Sequence, residues 1–182
     1  MPRCRVASWS TDDLKAALAR DLPGVLAAYL PPQLSAPAEP RKKGAQAPVD
    51  LLSTQDALIH PHCIADVARY LRDTHSYTLL TNLTAVDYLR DNVIELVYHF
   101  ARVDGGVLTV KTRVPREAPT LPSLAPTWPG ADFQEREAYD LYGVIFQGHQ
   151  NLRRIYMWDE FEGFPMRKDF PKQGDKYIGE GE

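Results

Sequence analysis

The stretch Asp132-Phe133-Gln134-Glu135-Arg136-Glu137-Ala138-Tyr139-Asp140 gathers enough carboxylates to suggest proton transfer. Two carboxylates can act as general acid and general base when their surroundings split their pKa values. An α-helix turns about 100° per residue, so Glu135 and Glu137 would point about 200° apart and could not share one site. Arg136 and Asp140 are four apart and are expected to pair along the helix surface for a few tenths of a kcal/mol. His60, His62 and Cys63 lie close together, but their spacing fits no zinc pattern and a second ligand pair is missing. His60-Pro61 reads instead as the approach to a helix, with Cys63 packed as a small hydrophobe. His149, between Gly148 and Gln150, reads as a hydrogen-bonding residue. The chain has no phosphate-cradling loop, no glycine triplet opening a helix, no Gly-x-Ser-x-Gly and no cysteine set for an iron–sulfur cluster. The residues point to a scaffold.

The 182 residues suit one compact domain with additional segments, and 44% hydrophobic with 25% charged residues is ordinary for a globular chain. A net charge of −3 argues against bulk electrostatic binding to nucleic acid or anionic lipid. The basic triplet Arg41-Lys42-Lys43 reads as part of a solvated loop. No apolar run approaches the length of a membrane span. Met1-Pro2-Arg3-Cys4-Arg5 leads to Asp12 and Asp13 without an apolar core, so neither a secretory nor a mitochondrial leader is expected. Cys4 and Cys63 are expected to be reduced thiols.

Ser10 or Thr11 can cap a helix through about Arg20 within an N-terminal helical segment, 1–30. Pro31 to Pro48 carries five prolines and reads as a linker, because proline fixes its own φ and lacks an amide donor. The core domain is expected over 49–146. A helix from Pro61 to about Asp73 places Ile64, Val67, Ala68 and Leu71 on one face. Strand-like runs follow at Tyr77–Tyr88, Val93–Val103 and Val107–Val114, with turns at Asp91-Asn92 and Asp104-Gly105-Gly106. Pro115 to Pro129 ends the sheet, and a helix from Ala131 to Tyr142 stops at Gly143. The order predicts an α+β fold: a two-layer domain with helices packed on a mixed, mostly antiparallel sheet.

Beyond Phe146 regular periodicity ends, yet Leu152, Tyr156, Trp158, Phe161, Phe164 and Phe170 remain, which disordered tails lack. At about 3.3 Å per residue some thirty residues can reach on the order of 100 Å. Residues 147–182 are therefore expected to form an extended arm that packs on a partner protein.

Glu135-Arg136-Glu137-Ala138-Tyr139-Asp140-Leu141-Tyr142-Gly143, then Phe146-Gln147-Gly148-His149 and Leu152-Arg153-Arg154-Ile155, resemble the signature of the C-type subunit of proton-pumping NADH:quinone oxidoreductase, respiratory complex I. Gly163-Phe164-Pro165-Met166-Arg167-Lys168-Asp169 is similar to that family's closing motif. The chain departs from the pattern at Gln150 and Trp158, where the family favours Pro, at Phe164, and at Met166, where it favours Leu. The resemblance implies a non-catalytic subunit without a cofactor of its own. It implies docking on the hydrogenase-like subunit that forms the quinone site, beside other peripheral-arm subunits on the cytoplasmic side of the membrane, with no direct membrane span. Iron–sulfur clusters and quinone would sit in other subunits, and the resemblance admits flavin and NAD there too. The complex would couple electron transfer from NAD(P)H or ferredoxin to ion translocation.

On that footing Glu135, Arg136, Glu137 and Asp140 are expected to fix the helix against the sheet or partner through charge-assisted hydrogen bonds. Gly143 and Gly148 allow tight turns. His149, Arg153, Arg154, Arg167, Lys168 and Asp169 dock the arm, beside Phe146, Leu152, Phe161, Phe164, Gly163 and Pro165. The equivalent subunit of a membrane-bound hydrogenase is the near alternative. A small acid–base hydrolase using Glu135, Glu137 and His149 is the alternative of another class, and a single-strand nucleic-acid binder is a third.

Overall fold

A computed structural model describes residues 9–27 and 56–171. The linker expected at 31–48, Cys4, the triplet Arg41–Lys43 and residues 172–182 lie outside the described residues. Among those described, no helix is long and apolar enough to cross a membrane.

Helix α1 runs Thr11–Asp21 and starts where the sequence places its cap. The Ser10 hydroxyl accepts the Asp13 N–H at 3.1 Å, and the Asp13 carboxylate accepts the Ser10 N–H at 3.0 Å. Two amides that the helix cannot satisfy are thereby paired. Its Leu14 and Leu18 are fully buried, so α1 shares the core of the following domain. A short strand β1, Ala57–Ile59, and a single 3₁₀ turn, Pro61–Cys63, precede helix α2, Ile64–His75. As the spacing predicts, Ile64, Val67, Ala68 and Leu71 form the buried face of α2.

Strands β2 (Leu79–Tyr88), β3 (Val93–Ala101) and β4 (Val107–Pro115) follow the three runs read from the sequence. They pair antiparallel, and β1 adds to β4 in parallel, giving the order β1-β4-β3-β2. The sheet is mixed and mostly antiparallel, as expected. Its register lines Leu83 with Tyr98 and Tyr98 with Val110, and Ala85 with Leu96 and Leu96 with Thr112. Because side chains alternate between faces, these rows share the core face that meets the helices. Asp87 continues the inward row Leu83, Ala85 and is 3% exposed.

The Pro115–Pro129 stretch does more than end the sheet. It holds strand β5, Thr120–Pro122, which pairs in parallel with strand β6, Ile145–Gln147, after helix α3, Ala131–Tyr142. Three-residue strands, one of them set among prolines, are too short to show a period, so the sequence carries no sign of this pair. Leu121, Leu124, Val144 and Phe146 join the main core through it. Helix α3 ends at Gly143 with φ 77°, and a Cβ there would meet the Phe164 ring at 2.5 Å. Glycine is required both for the left-handed backbone and for the close approach.

Residues 148–171 contain neither helix nor strand, and none of them is fully buried. Without regular structure, as the sequence suggests, the segment also lies back on α3 and on the Asp87 end of the sheet. The reason is a set of buried acceptors that the segment supplies with donors.

Candidate functional site

Helix α3 presents three charged side chains to the interior, each in a different role. Glu135 is fully buried. Its Oε2 accepts from the Ser123 hydroxyl at 2.6 Å and its Oε1 from the Leu124 N–H at 2.6 Å, tying α3 to the turn after β5. Burial pushes its carboxyl above the usual glutamate range, and the Ser123 and Leu124 hydrogen bonds oppose that only in part. The His149 side chain is 2% exposed, with Nε2 3.9 Å from Glu135 Oε2 and 3.1 Å from Asp132 Oδ1. Its Nδ1 accepts the Asn151 N–H at 3.0 Å, which assigns the proton of the neutral ring to Nε2, facing the carboxylates.

Arg136 is 6% exposed and does not pair with Asp140, contrary to the helix-surface pairing expected from their spacing. Its Nε donates to the Arg153 carbonyl at 3.2 Å, and its guanidinium lies 5.4 Å from the centre of the Phe133 ring. Tertiary acceptors outcompete an (i, i+4) partner because both side chains turn inward, where geometry is set by the packed segment.

Asp140 is the fulcrum. Its buried carboxylate accepts the consecutive N–H groups of Ile155, Tyr156 and Met157 at 2.9, 2.7 and 3.0 Å through Oδ2. Oδ1 accepts from Arg154 Nη1 at 2.6 Å. Burial raises the Asp140 pKa, but the Met157, Tyr156 and Ile155 amides and Arg154 outweigh it and hold the carboxyl below the ordinary aspartate range.

A second fastening uses Lys168 and Asp169, both expected to dock the segment, but with partners, Asp87 and Arg116, that the sequence reading does not name. Arg116, just after β4, donates from Nε to Asp87 Oδ1 at 2.7 Å and from Nη1 to Asp169 Oδ2 at 3.0 Å. The Lys168 N–H donates to Asp87 Oδ2 at 2.7 Å. Hydrogen bonds to Asp169 and Asp87 hold the Arg116 guanidinium firmly charged, and Arg116 draws the Asp169 pKa below its ordinary value. A signal did exist: Asp87 falls on the inward positions of an alternating strand, where an acid needs a buried partner. Between the two fastenings Arg167 Nε donates to the Tyr142 carbonyl at 2.7 Å, and the Met166 N–H donates to Leu141 O at 3.1 Å.

The structure therefore gathers Glu135, His149 and Asp132 in one cluster, and Arg136, Asp140, Arg153, Arg154, Arg167, Lys168 and Asp169 along one segment. Glu137 stands apart on the exposed side of α3, with the Tyr156 hydroxyl 3.5 Å from its carboxylate. Glu135, Glu137 and His149 do not converge, so the geometry does not assemble the hydrolase reading. Asp132 and His149 border a cleft of about 370 Å³, with Ala125, Pro126, Pro129, Gln150 and Asn151, but Glu135 is sealed behind it. Gly148 and Gly163 have φ of 83° and 88°, Phe146 is buried, and Leu152 is packed against the core. Arg153 is exposed, as are Trp158 (64%), Tyr156 (59%) and Met166 (53%). Among the described residues no three His, Cys, Asp or Glu side chains are grouped as metal ligands.

Residues 57–176 match the family described as the respiratory-chain NADH dehydrogenase, 30 Kd subunit. The C-type subunit of NADH-quinone oxidoreductase from Moorella thermoacetica is 48% identical over 104 residues, covering 57% of this chain and 70% of that protein. The subunit of the same name from Roseiflexus sp. strain RS-1 is 44% identical over 117 residues, covering 62% and 67%. Among solved structures, a chain of the membrane-bound sulfane sulfur reductase, an archaeal respiratory membrane complex, is 31% identical with a TM-score of 0.56, covering 64% of this chain and 72% of that one.

Proposed function

The chain belongs to the family of the respiratory-chain NADH dehydrogenase 30 Kd subunit, the C-type subunit of complex-I-type NADH-quinone oxidoreductases, and on that premise we propose that it is a structural, non-catalytic member of such a complex. In this reading it docks on the hydrogenase-like subunit of the quinone site, in the peripheral arm on the cytoplasmic side of the membrane. Iron–sulfur clusters and quinone, and flavin and NAD where NADH is the donor, belong to other subunits. The complex couples electron transfer to ion translocation.

The observation that carries the docking reading is the C-terminal segment. The Arg154, Arg167 and Asp169 side chains and several of its amides fasten it to α3 and the sheet end, while Trp158, Tyr156 and Met166 face solvent. An exposed aromatic and thioether surface on an ordered, charge-fixed segment is what a protein interface favours. Trp158→Ala with Met166→Ala tests it, because neither side chain makes a hydrogen bond among the described residues. Mild-detergent pulldown from the native membrane should recover companion subunits about ten-fold less efficiently, with the urea midpoint of the purified chain unchanged. Recovery at the wild-type level would end the assignment of this surface to docking.

A second reading has one observation in its favour. The archaeal reductase chain resembles this one in fold and sequence, so the host complex could draw electrons from a donor other than NADH. Dehydrogenase activity of the pulldown eluate with NADH, against reduced ferredoxin, separates the two.

A further inference from the structure

The segment 148–171 is held in two blocks of unlike character. In the proximal block, residues 153–157, the backbone itself is bonded to buried side chains. Asp140, fully buried, takes the amides of Ile155, Tyr156 and Met157, and Arg136, 6% exposed, donates to the Arg153 carbonyl. Arg154 closes the block, its guanidinium 5.6 Å from the Phe161 ring and donating to Asp140 O at 3.0 Å. Releasing it would strand a buried carboxylate and a buried guanidinium together.

The distal block, residues 158–171, contains no fully buried residue, like the proximal one, but it gives a single amide, that of Lys168, to a buried side chain, Asp87, where the proximal block gives three to Asp140. It is held by the Met166 N–H and Arg167 side chain on the last carbonyls of α3, by Phe164 lying on Gly143, by the Lys168 N–H on Asp87, by the latch at Arg116, and by Arg154 of the proximal block, which donates to the Gly163 carbonyl at 3.0 Å and lies over the Phe164 ring. On the Arg116 side that latch is anchored, since Asp87 keeps it company in the interior at 1% side-chain exposure. The strap's own contribution, Asp169, is 52% exposed. If the distal block lifts away, Arg116 keeps both oxygens of Asp87 while the Lys168 amide is lost, and the carbonyls of Leu141 and Tyr142 open to water at the half-buried end of α3. Trp158, Phe161 and Phe170 stack on one another, with ring centres 4.9 and 5.8 Å apart, which favours their moving together, and the contacts tying them to the proximal block run through the exposed Arg154–Gly163 bond and the Arg154–Phe161 stack. Gly163, with φ 88°, lies within it.

We propose that residues 158–171 form a releasable strap, rooted at the Asp140 anchor, that detaches from α3 and the Asp87–Arg116 end while residues 153–157 stay bound. Release needs no unthreading of the root and bares the Phe164 face and the groove over Gly143. The motion belongs to the chain by itself and requires no partner.

Amide exchange of the full chain, followed residue by residue by NMR, tests it. Raising salt from about 0.1 M to about 1 M shortens the screening length from roughly 10 Å to 3 Å, which weakens the half-exposed Asp169 contact more than the buried ones. Asp169→Asn removes the same contact without touching Asp87. Both changes should speed exchange of the Met166 and Lys168 amides by roughly two- to five-fold, the range of a partly exposed ion pair. The Ile155, Tyr156 and Met157 amides should keep their wild-type rates. Acceleration of both groups together would overturn the proposal, as would unchanged rates at Met166 and Lys168 under both perturbations. Asp140→Asn is the control: it should speed both blocks, since it loosens the root.

Discussion

Replacing Asp140 with Ala should be among the most damaging single changes on α3. The substitution removes the acceptor of three consecutive amides and the counter-charge of Arg154. Breaking one side of a buried ion pair costs about 3–5 kcal/mol, and each hydrogen bond to a charged group is worth about 1.5–3 kcal/mol. These figures do not add, because Ile155 and Met157 are half-buried and Tyr156 is exposed, so water can reach part of the emptied site. A loss of about 3 kcal/mol for Asp140→Ala is the expected result, with about half of that for Asp140→Asn, which keeps one acceptor oxygen. Urea unfolding at pH 7 measures it as a shift in midpoint at unchanged slope. The pH dependence has a definite sign. The Asp140 pKa is lowered in the folded chain, so its contribution is complete above the ordinary aspartate value of about 3.9 and is lost as pH falls through the folded value. The gap between wild type and Asp140→Asn should therefore narrow in acid. A loss below about 1 kcal/mol at pH 7, or a gap that widens on acidification, would refute the fulcrum role.

Glu135 should behave in the opposite sense: burial raises its pKa, so the folded chain binds its proton more readily, and wild type should gain stability relative to Glu135→Gln as pH falls from neutrality towards about 4.3. A difference that stays flat across that range in urea titrations would show that the Ser123 and Leu124 hydrogen bonds fully offset burial. Gly143→Ala should cost roughly 1–3 kcal/mol through its positive φ and its collision with Phe164. Adding Phe164→Ala should recover only the collision part in a thermal or urea double-mutant cycle, and full recovery would mean the backbone angle is not a constraint.

Legibility varied with the length over which a pattern could act. Helix α3 was readable in its bounds because Gly143 marks its end, but not in its faces, since Arg136 and Asp140, expected on the surface, are buried. The strands β2 to β4 were readable because alternation over nine or ten residues is hard to imitate. Strands β1, β5 and β6, three residues each, have no period and exist only because a neighbour pairs with them. The same limit applies to the site. Glu135, Arg136 and Asp140 were recognisable as a unit, whereas the partners they chose were not. Arg136 passed over the helical neighbour four residues away for a carbonyl 17 residues on.

Residue order alone determined which segments are helices and long strands, where the caps fall, and which family signature the chain bears, since these depend on contacts a few residues apart and on side-chain types. Tertiary structure decided where the C-terminal segment lies. Asp87 meets the Lys168 amide across 81 positions and Arg116 meets Asp169 across 53. Such pairings are set by the need of buried charges for donors once the sheet has turned them inward, a demand that arises only after the chain has folded.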